Sequence, residues 1–116
     1  MKTTISGHDL IIEKDLREYT ENKILKLRKF RQDIIEIEVT LLENHHKKEK
    51  KSAFIAKALV IIPGNDINAE AFGKTLFAAV DDLEAKLATQ LRKTKEKKLS
   101  FKRGKNFLEN FFRKEQ

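Results

Sequence analysis

The sequence of 116 residues contains no cysteine, which excludes disulfides, zinc–thiolate sites and cysteine nucleophiles. That absence fits a reducing compartment. With one proline and four glycines there is no Pro- or Ser-rich linker, and no internal repeat divides the chain. No apolar run approaches the roughly 20 residues of a membrane span. The opening MKTTISGHDL lacks the apolar segment of a secretory signal. One soluble, cytoplasmic domain, long enough for a core without staples, is expected.

Catalytic constellations are missing too. Of the three histidines, His45 and His46 are neighbours in a lysine-rich stretch, and nothing near them or near His8 completes a metal shell. Asp81 and Asp82 are adjacent, and adjacent helical residues point about 100° apart, so they do not form an acid–base pair. The only Pro-Gly pair, in PGND, signals a hairpin and not a phosphate loop. No enzyme activity, cofactor, metal or small-molecule substrate is expected.

What the chain does have is organised around residues 75–98, TLFAAVDDLEAKLATQLRKTKEKK. Leu76, Val80, Leu83, Leu87 and Leu91 recur with the period of one helix face. Several alanines favour helix, and no Gly or Pro interrupts. Asp81, Asp82 and Glu84 precede Lys86, Arg92, Lys93, Lys95, Lys97 and Lys98, an order that suits the helix dipole. On a wheel, Lys86, Lys93 and Lys97 line one flank of the apolar stripe, with Arg92 and Lys95 on the other. These cations fit two readings: a solvated face tuned for helix stability, or contact with a polyanion.

Charge along the chain bears on that choice. Residues 1–85 hold 14 Lys and Arg against 15 Asp and Glu, whereas residues 86–116 hold 11 against 3. A basic end on a near-neutral body points to nucleic acid first, then an anionic membrane surface, then an acidic protein.

In chain order, residues 2–6 read as a short strand ending at Gly7. Ile12, Leu16, Tyr19, Thr20, Ile24 and Leu27 trace a helical stripe over about 12–29, with Leu25 opposite it. Lys23 lies near the apolar face, and Lys26, Arg28 and Lys29 close the helix. Residues 33–43 alternate, Ile35, Ile37, Val39 and Leu41 against Glu36, Glu38 and Thr40, as in a strand with one wet face. NHHKKEKK (44–51) is a loop whose lysines, Lys47, Lys48, Lys50 and Lys51, are either solvated or in contact with RNA. Residues 53–62 form a second long strand, in which Ala56 and Ala58 leave room for a helix. Pro63-Gly64-Asn65-Asp66 is a turn, and residues 67–72 a last strand. The order β-α-β-β-β-α predicts an α+β fold: a four-stranded mixed sheet with two helices on one face. Its first two strands should be parallel and the rest hairpins.

Residues 99–116 read differently. Ser100 and Gly104 should break the helix, and Asn106 caps a short segment, NFLENFF, with Phe107, Leu108, Phe111 and Phe112 on one face. Four of the eight phenylalanines lie here, a density unusual outside a core. The expected organisation is a domain over 1–98 and a basic, Phe-rich tail over 99–116. The tail is expected either to be mobile until it meets RNA, through Phe101, Lys102, Arg103, Lys105 and Phe107, or to fold back onto the open sheet face.

Three segments carry a family resemblance: REYTENKILKLRKF (17–30), AKALVIIPGNDINAEA (56–71) and LFAAVDDLEAKLATQLRKTKEK (76–97). They resemble the bacterial ribosome hibernation-promoting factors, the ribosome-associated translation inhibitor family also described as sigma-modulation proteins, and the likeness covers roughly residues 1–98. It implies a fold similar to double-stranded-RNA-binding domains. It further implies binding in the messenger and transfer RNA channel of the small ribosomal subunit, to ribosomal RNA and ribosomal proteins, where the family blocks initiation and preserves idle ribosomes under stress. Lys23, Lys26, Lys86, Arg92, Lys93, Lys95 and Lys97 match the family's basic positions. Glu13 departs from the usual capping Thr or Ser, and Thr75 and Phe77 replace the common Asp and Tyr, which puts local capping in question. Long members add a domain that pairs ribosomes; a chain of this length is expected to lack that self-dimerisation domain, and its tail matches neither that domain nor the acidic tails of some short members. A non-enzymatic ribosome-binding inhibitor is the leading reading. The alternatives are a protein-interaction module docking through its C-terminal amphipathic segment and, less well supported, a peripheral membrane protein.

Overall fold

Alternating apolar and polar residues build a four-stranded sheet, β1 (Lys2–His8), β2 (Glu36–Glu43), β3 (Phe54–Ile62) and β4 (Asn65–Gly73), in that spatial order. The computed structural model describes residues 1–44 and 53–109, with side chains as far as Thr94. β1 pairs parallel with β2, and β2–β3 and β3–β4 are antiparallel. Val39 lies opposite both Ile5 and Ala58, and Ile37, Val39 and Leu41 are buried on the helix side. The β-α-β-β-β-α order and mixed sheet are those the sequence predicts.

Two strand details differ. Alternation places Ile35 inside with Ile37, yet it is 54% exposed, and Ile34 is buried instead. The chain arrives from a turn held by the Arg31–Asp33 ion pair, and regular strand begins only at Glu36. The alternation therefore does not extend back to Ile35. The last turn is also tighter than the four residues predicted. Gly64 takes φ of 80°, open to glycine without strain, so Pro63 and Gly64 suffice and Asn65 already pairs with Ile62.

Two helices cover one sheet face. α1 (Lys14–Leu25) buries Leu16, Thr20 and Ile24, then tightens into a 3-10 turn (Lys26–Lys29) that buries Leu27. The Thr20 hydroxyl donates to the Leu16 carbonyl at 2.7 Å, which satisfies a polar group inside the core. Leu25, opposite the stripe, is exposed. Glu13 occupies the N-cap of α1 without a side-chain capping bond. At α2 (Leu76–Glu109), by contrast, the Ala78 amide donates to Thr75 Oγ1 at 3.0 Å, so Thr75 does cap.

Val80, Leu83, Leu87 and Leu91 of α2 are buried against the sheet, each worth about 1.5–3 kcal/mol in transfer terms. Small residues set the approach distance. Ala56, Ala71 and Ala79 are wholly buried, and a Cβ on Gly73 would fall 2.4 Å from the Ala79 amide nitrogen. Beyond the sheet the structure corrects the sequence reading. α2 is one helix of 34 residues, about 51 Å long at 1.5 Å per residue, and passes through Ser100, Gly104 and Asn106 without a break. One interior glycine costs only about 1 kcal/mol relative to alanine, and the surrounding Lys, Arg, Leu and Glu favour helix. Residue 98 thus falls inside α2, and residues 99–109 extend that helix instead of turning back onto the sheet. Phe111 and Phe112 lie outside the described residues.

Candidate nucleic-acid interface

Contacts between the helices fix their direction. Tyr19 meets Phe77 edge-on at 5.0 Å between ring centroids, Lys23 lies 3.3 Å from Asp81, and Arg92 stacks over Phe30. Later residues of α1 meet later residues of α2, so the pair runs parallel. Because each helix is acidic early and basic late, parallel packing turns two local charge gradients into one. Asp15, Asp81 and Asp82 lie toward one end; Lys26, Arg28, Lys29, Arg92 and Lys93 lie toward the other.

The basic end is built around Phe30, a residue to which the sequence pattern alone assigns no role. Its ring is partly buried against the core, with Lys29 Nζ 5.2 Å and Arg92 Cζ 5.6 Å from its centroid. Each such contact is worth about 0.5–1 kcal/mol at an exposed site, enough to hold two cations side by side. Among the described residues no carboxylate pairs with Lys26, Arg28, Lys29, Arg92 or Lys93. An aromatic directly after a run of three cations in four residues was the available signal.

Other predicted contacts are engaged within the protein. Lys23 is three-quarters covered, pairs with Asp81 and lies 5.5 Å from the Tyr19 ring centroid. The Tyr19 hydroxyl donates to the same carboxylate. That hydrogen bond to Asp81 is the main reason both Tyr19 and Lys23 have pKa values above their ordinary ones. Lys86 donates to the Glu70 carbonyl at 3.0 Å and lies 3.4 Å from Asp82. One turn on, Gln90 donates to the Asn68 carbonyl at 3.3 Å. Both side chains reach the outer edge of β4, whose ladder carbonyls lack a strand partner there among the described residues.

The structure therefore brings Lys26 and Arg92 to the same end, with Lys93 the next residue of α2, about 100° round the helix from Arg92. It sets Lys23 against Asp81, toward the start of the helix pair, and Lys86 over the β4 edge. Lys95, Lys97, Phe101, Lys102, Arg103, Lys105 and Phe107 fall on α2, and their side chains lie outside those described. The hairpin lysines Lys47, Lys48, Lys50 and Lys51 lie outside the described residues altogether. Among the described residues, no three His, Asp or Glu converge as they would around a metal ion.

Comparison with known proteins bears on the family and the fold. Residues 3–99 match the family model for Sigma 54 modulation protein / S30EA ribosomal protein. The ribosome hibernation promoting factor of Salmonella typhimurium is 35% identical over 97 residues, 84% of this chain and 96% of that protein. A ribosomal subunit interface protein from Coxiella burnetii superposes with a TM-score of 0.73 at 34% identity, covering 83% of this chain and 99% of the other. The N-terminal domain of Thermus thermophilus Protein Y gives 0.68 at 25% identity, covering 81% and 99%. With nearly the whole fold and all three resembling segments inside the matched span, this chain belongs to the Sigma 54 modulation protein / S30EA ribosomal protein family.

Proposed function

We propose that this protein is a ribosome-binding hibernation factor that holds small subunits inactive by occupying the messenger and transfer RNA channel. The family and the names of its relatives support the ribosome as partner. The observation that carries the RNA contact is the basic end, where Lys29 and Arg92 lie over Phe30 and Lys26, Arg28 and Lys93 stand on the adjoining helical turns, all without carboxylate partners among the described residues. Cations fixed on a folded surface bind phosphates by position and displace counterions, which suits structured RNA recognised by shape.

In this proposal Lys26, Arg92 and Lys93 make the primary contacts, continued along α2 by Lys95 and Lys97. Lys23 and Lys86 join by exchanging Asp81, or Asp82 and the Glu70 carbonyl, for phosphate. Farther along the helix, Lys102, Arg103 and Lys105 follow the backbone, with Phe101 or Phe107 stacking on a base. The action is steric and needs no catalysis: a folded domain in the channel excludes messenger and initiator tRNA. It is exerted in the cytoplasm, where idle ribosomes are kept during stress.

Sedimentation of purified small subunits through sucrose tests the proposal. The protein should co-sediment with empty subunits and be excluded from subunits preloaded with messenger and initiator tRNA. Equal binding to both would remove the channel. Binding to an isolated protein, unaffected by nuclease, would replace RNA as the partner.

A further inference from the structure

The sheet face turned away from the helices has a pattern that the proposed RNA contact does not use. On β3, Ala56, Ala58, Val60 and Ile62 join the core under the helices. Strand alternation therefore puts Ile55, Lys57, Leu59 and Ile61 on the opposite face. Their partners across the sheet are Leu42, Thr40, Glu38 and Glu36 on β2 and Phe72, Glu70, Asn68 and Asp66 on β4. Ile55, Leu59 and Ile61 form an apolar line along β3, interrupted by Lys57, that widens at one end into Leu42, Ile55 and Phe72 and is flanked by carboxylates on both sides. Ile55 is buried although it stands outside the main core, whereas Phe72 is 39% exposed.

The charges on this face are unbalanced. Lys57 is 3.6 Å from Glu70, and Lys2 is next to Glu36 in register. Glu38 and Asp66 have no facing cation in the cross-strand register. Among the described residues, phosphates would meet net negative charge here, the reverse of the basic end. An apolar spine between carboxylates complements an element whose own apolar ridge is bordered by Lys or Arg.

We infer that this open face is a second ribosomal contact, which docks a basic protein element by its apolar ridge while the helix ends hold RNA. The inference rests on the ribosome-binding reading and adds the surface on which a ribosomal protein, and not RNA, docks: the side of the domain opposite the helices. Phe72 and Leu59 supply apolar contact. Glu36, Glu38 and Asp66 set orientation and reject RNA, since opposing like charges are strongly unfavourable at an interface.

Reversing the charge tests it by sign. In the full chain, Glu36→Lys with Glu38→Lys should weaken ribosome binding about ten-fold, as loss of complementary charge predicts. Phe72→Ser should weaken it several-fold. Glu38→Gln with Asp66→Asn, nearly isosteric, should weaken it in the same direction and serves if the charge reversal lowers the melting temperature. A photo-crosslinker at position 59 should label a ribosomal protein. Unchanged affinity, tighter binding of the lysine variant, or crosslinks to ribosomal RNA or to a second copy would each overturn the inference and leave the basic end untouched. Failure of the unmodified protein to bind ribosomes would instead overturn the parent reading, and this one with it.

Discussion

The two ends of the helix pair use the same residue types to opposite effect. Toward the start, Lys23 and Tyr19 converge on Asp81, and aromatic contact with Phe77 closes the arrangement. Toward the finish, Lys29 and Arg92 converge on Phe30, with no carboxylate partner among the described residues. A cation held by a carboxylate stabilises the fold locally and presents little field to a partner. A cation held over a ring keeps its whole charge. On the proposed reading, what separates a structural lysine from a binding one is its nearest neighbour, and parallel helix packing decides which neighbour each cation meets.

Leu87→Ala should erase the comparison altogether. Leu87 is fully buried between α2 and the sheet, and truncating such a residue costs about 2–5 kcal/mol. Urea titration should show that loss, with binding by the remaining folded fraction unchanged. Leu83→Ala should behave the same way. A normal melt with lost binding would make this face the interface.

Asp81→Asn dissolves the paired end alone. Tyr19 is the only tyrosine in the sequence, so tyrosinate absorbance reads a single group. In the native protein it should titrate above its ordinary value of 10.0, because its hydrogen bond to Asp81 favours the protonated form. In the variant the titration should move down. Lys23 is raised for the same reason. The stability both groups contribute is therefore complete below their unfolded pKa values and lost as pH rises through the folded ones. The native protein should lose more stability than the variant in alkali above about pH 10. An unmoved tyrosine titration in the variant would remove Asp81 as the cause.

Phe30→Leu probes the other end. It keeps an apolar side chain against the core and removes the ring under Lys29 and Arg92. Ribosome affinity should fall about two- to five-fold, the equivalent of one weakened cation–π contact, with little change in melting temperature. A stability loss with unchanged affinity would make Phe30 a packing residue only.

Lys86→Met should have the smallest effect. Because Lys86 already serves the Glu70 carbonyl and Asp82, its removal should change the salt dependence of binding less than Arg92→Ala does. An equal or larger change would dissolve the distinction between engaged and available cations.

Much of this was legible in the sequence, for identifiable reasons. Alternation over residues 37–41 and the leucine stripe from Val80 to Leu91 are long, unopposed periodic signals, and both are buried as predicted. Local signals misled where a longer-range constraint took over. Ile35 fits the alternation, but the turn before it delays the strand. PGND contains four turn-forming residues, but glycine's positive φ completes the reversal in two. Ser100 and Gly104 resemble a helix stop, yet a single glycine amid good helix formers does not end α2. Candidate cations were legible as a set. Their sorting was not, because Lys23–Asp81, Lys86–Glu70 and Arg92–Phe30 are pairs made by tertiary packing across 58, 16 and 62 positions of chain.

The most direct test of the central claim is the salt dependence of small-subunit binding, measured for the native protein beside Lys26→Ala/Arg92→Ala/Lys93→Ala. Each phosphate contact contributes roughly 0.7 to 0.9 to the slope of log affinity against log salt concentration. Losing three contacts should flatten that slope by about two to three units, with an unchanged melting temperature. A folded triple variant that keeps the native slope and affinity would contradict the account, and the basic end would then not be the RNA-binding surface.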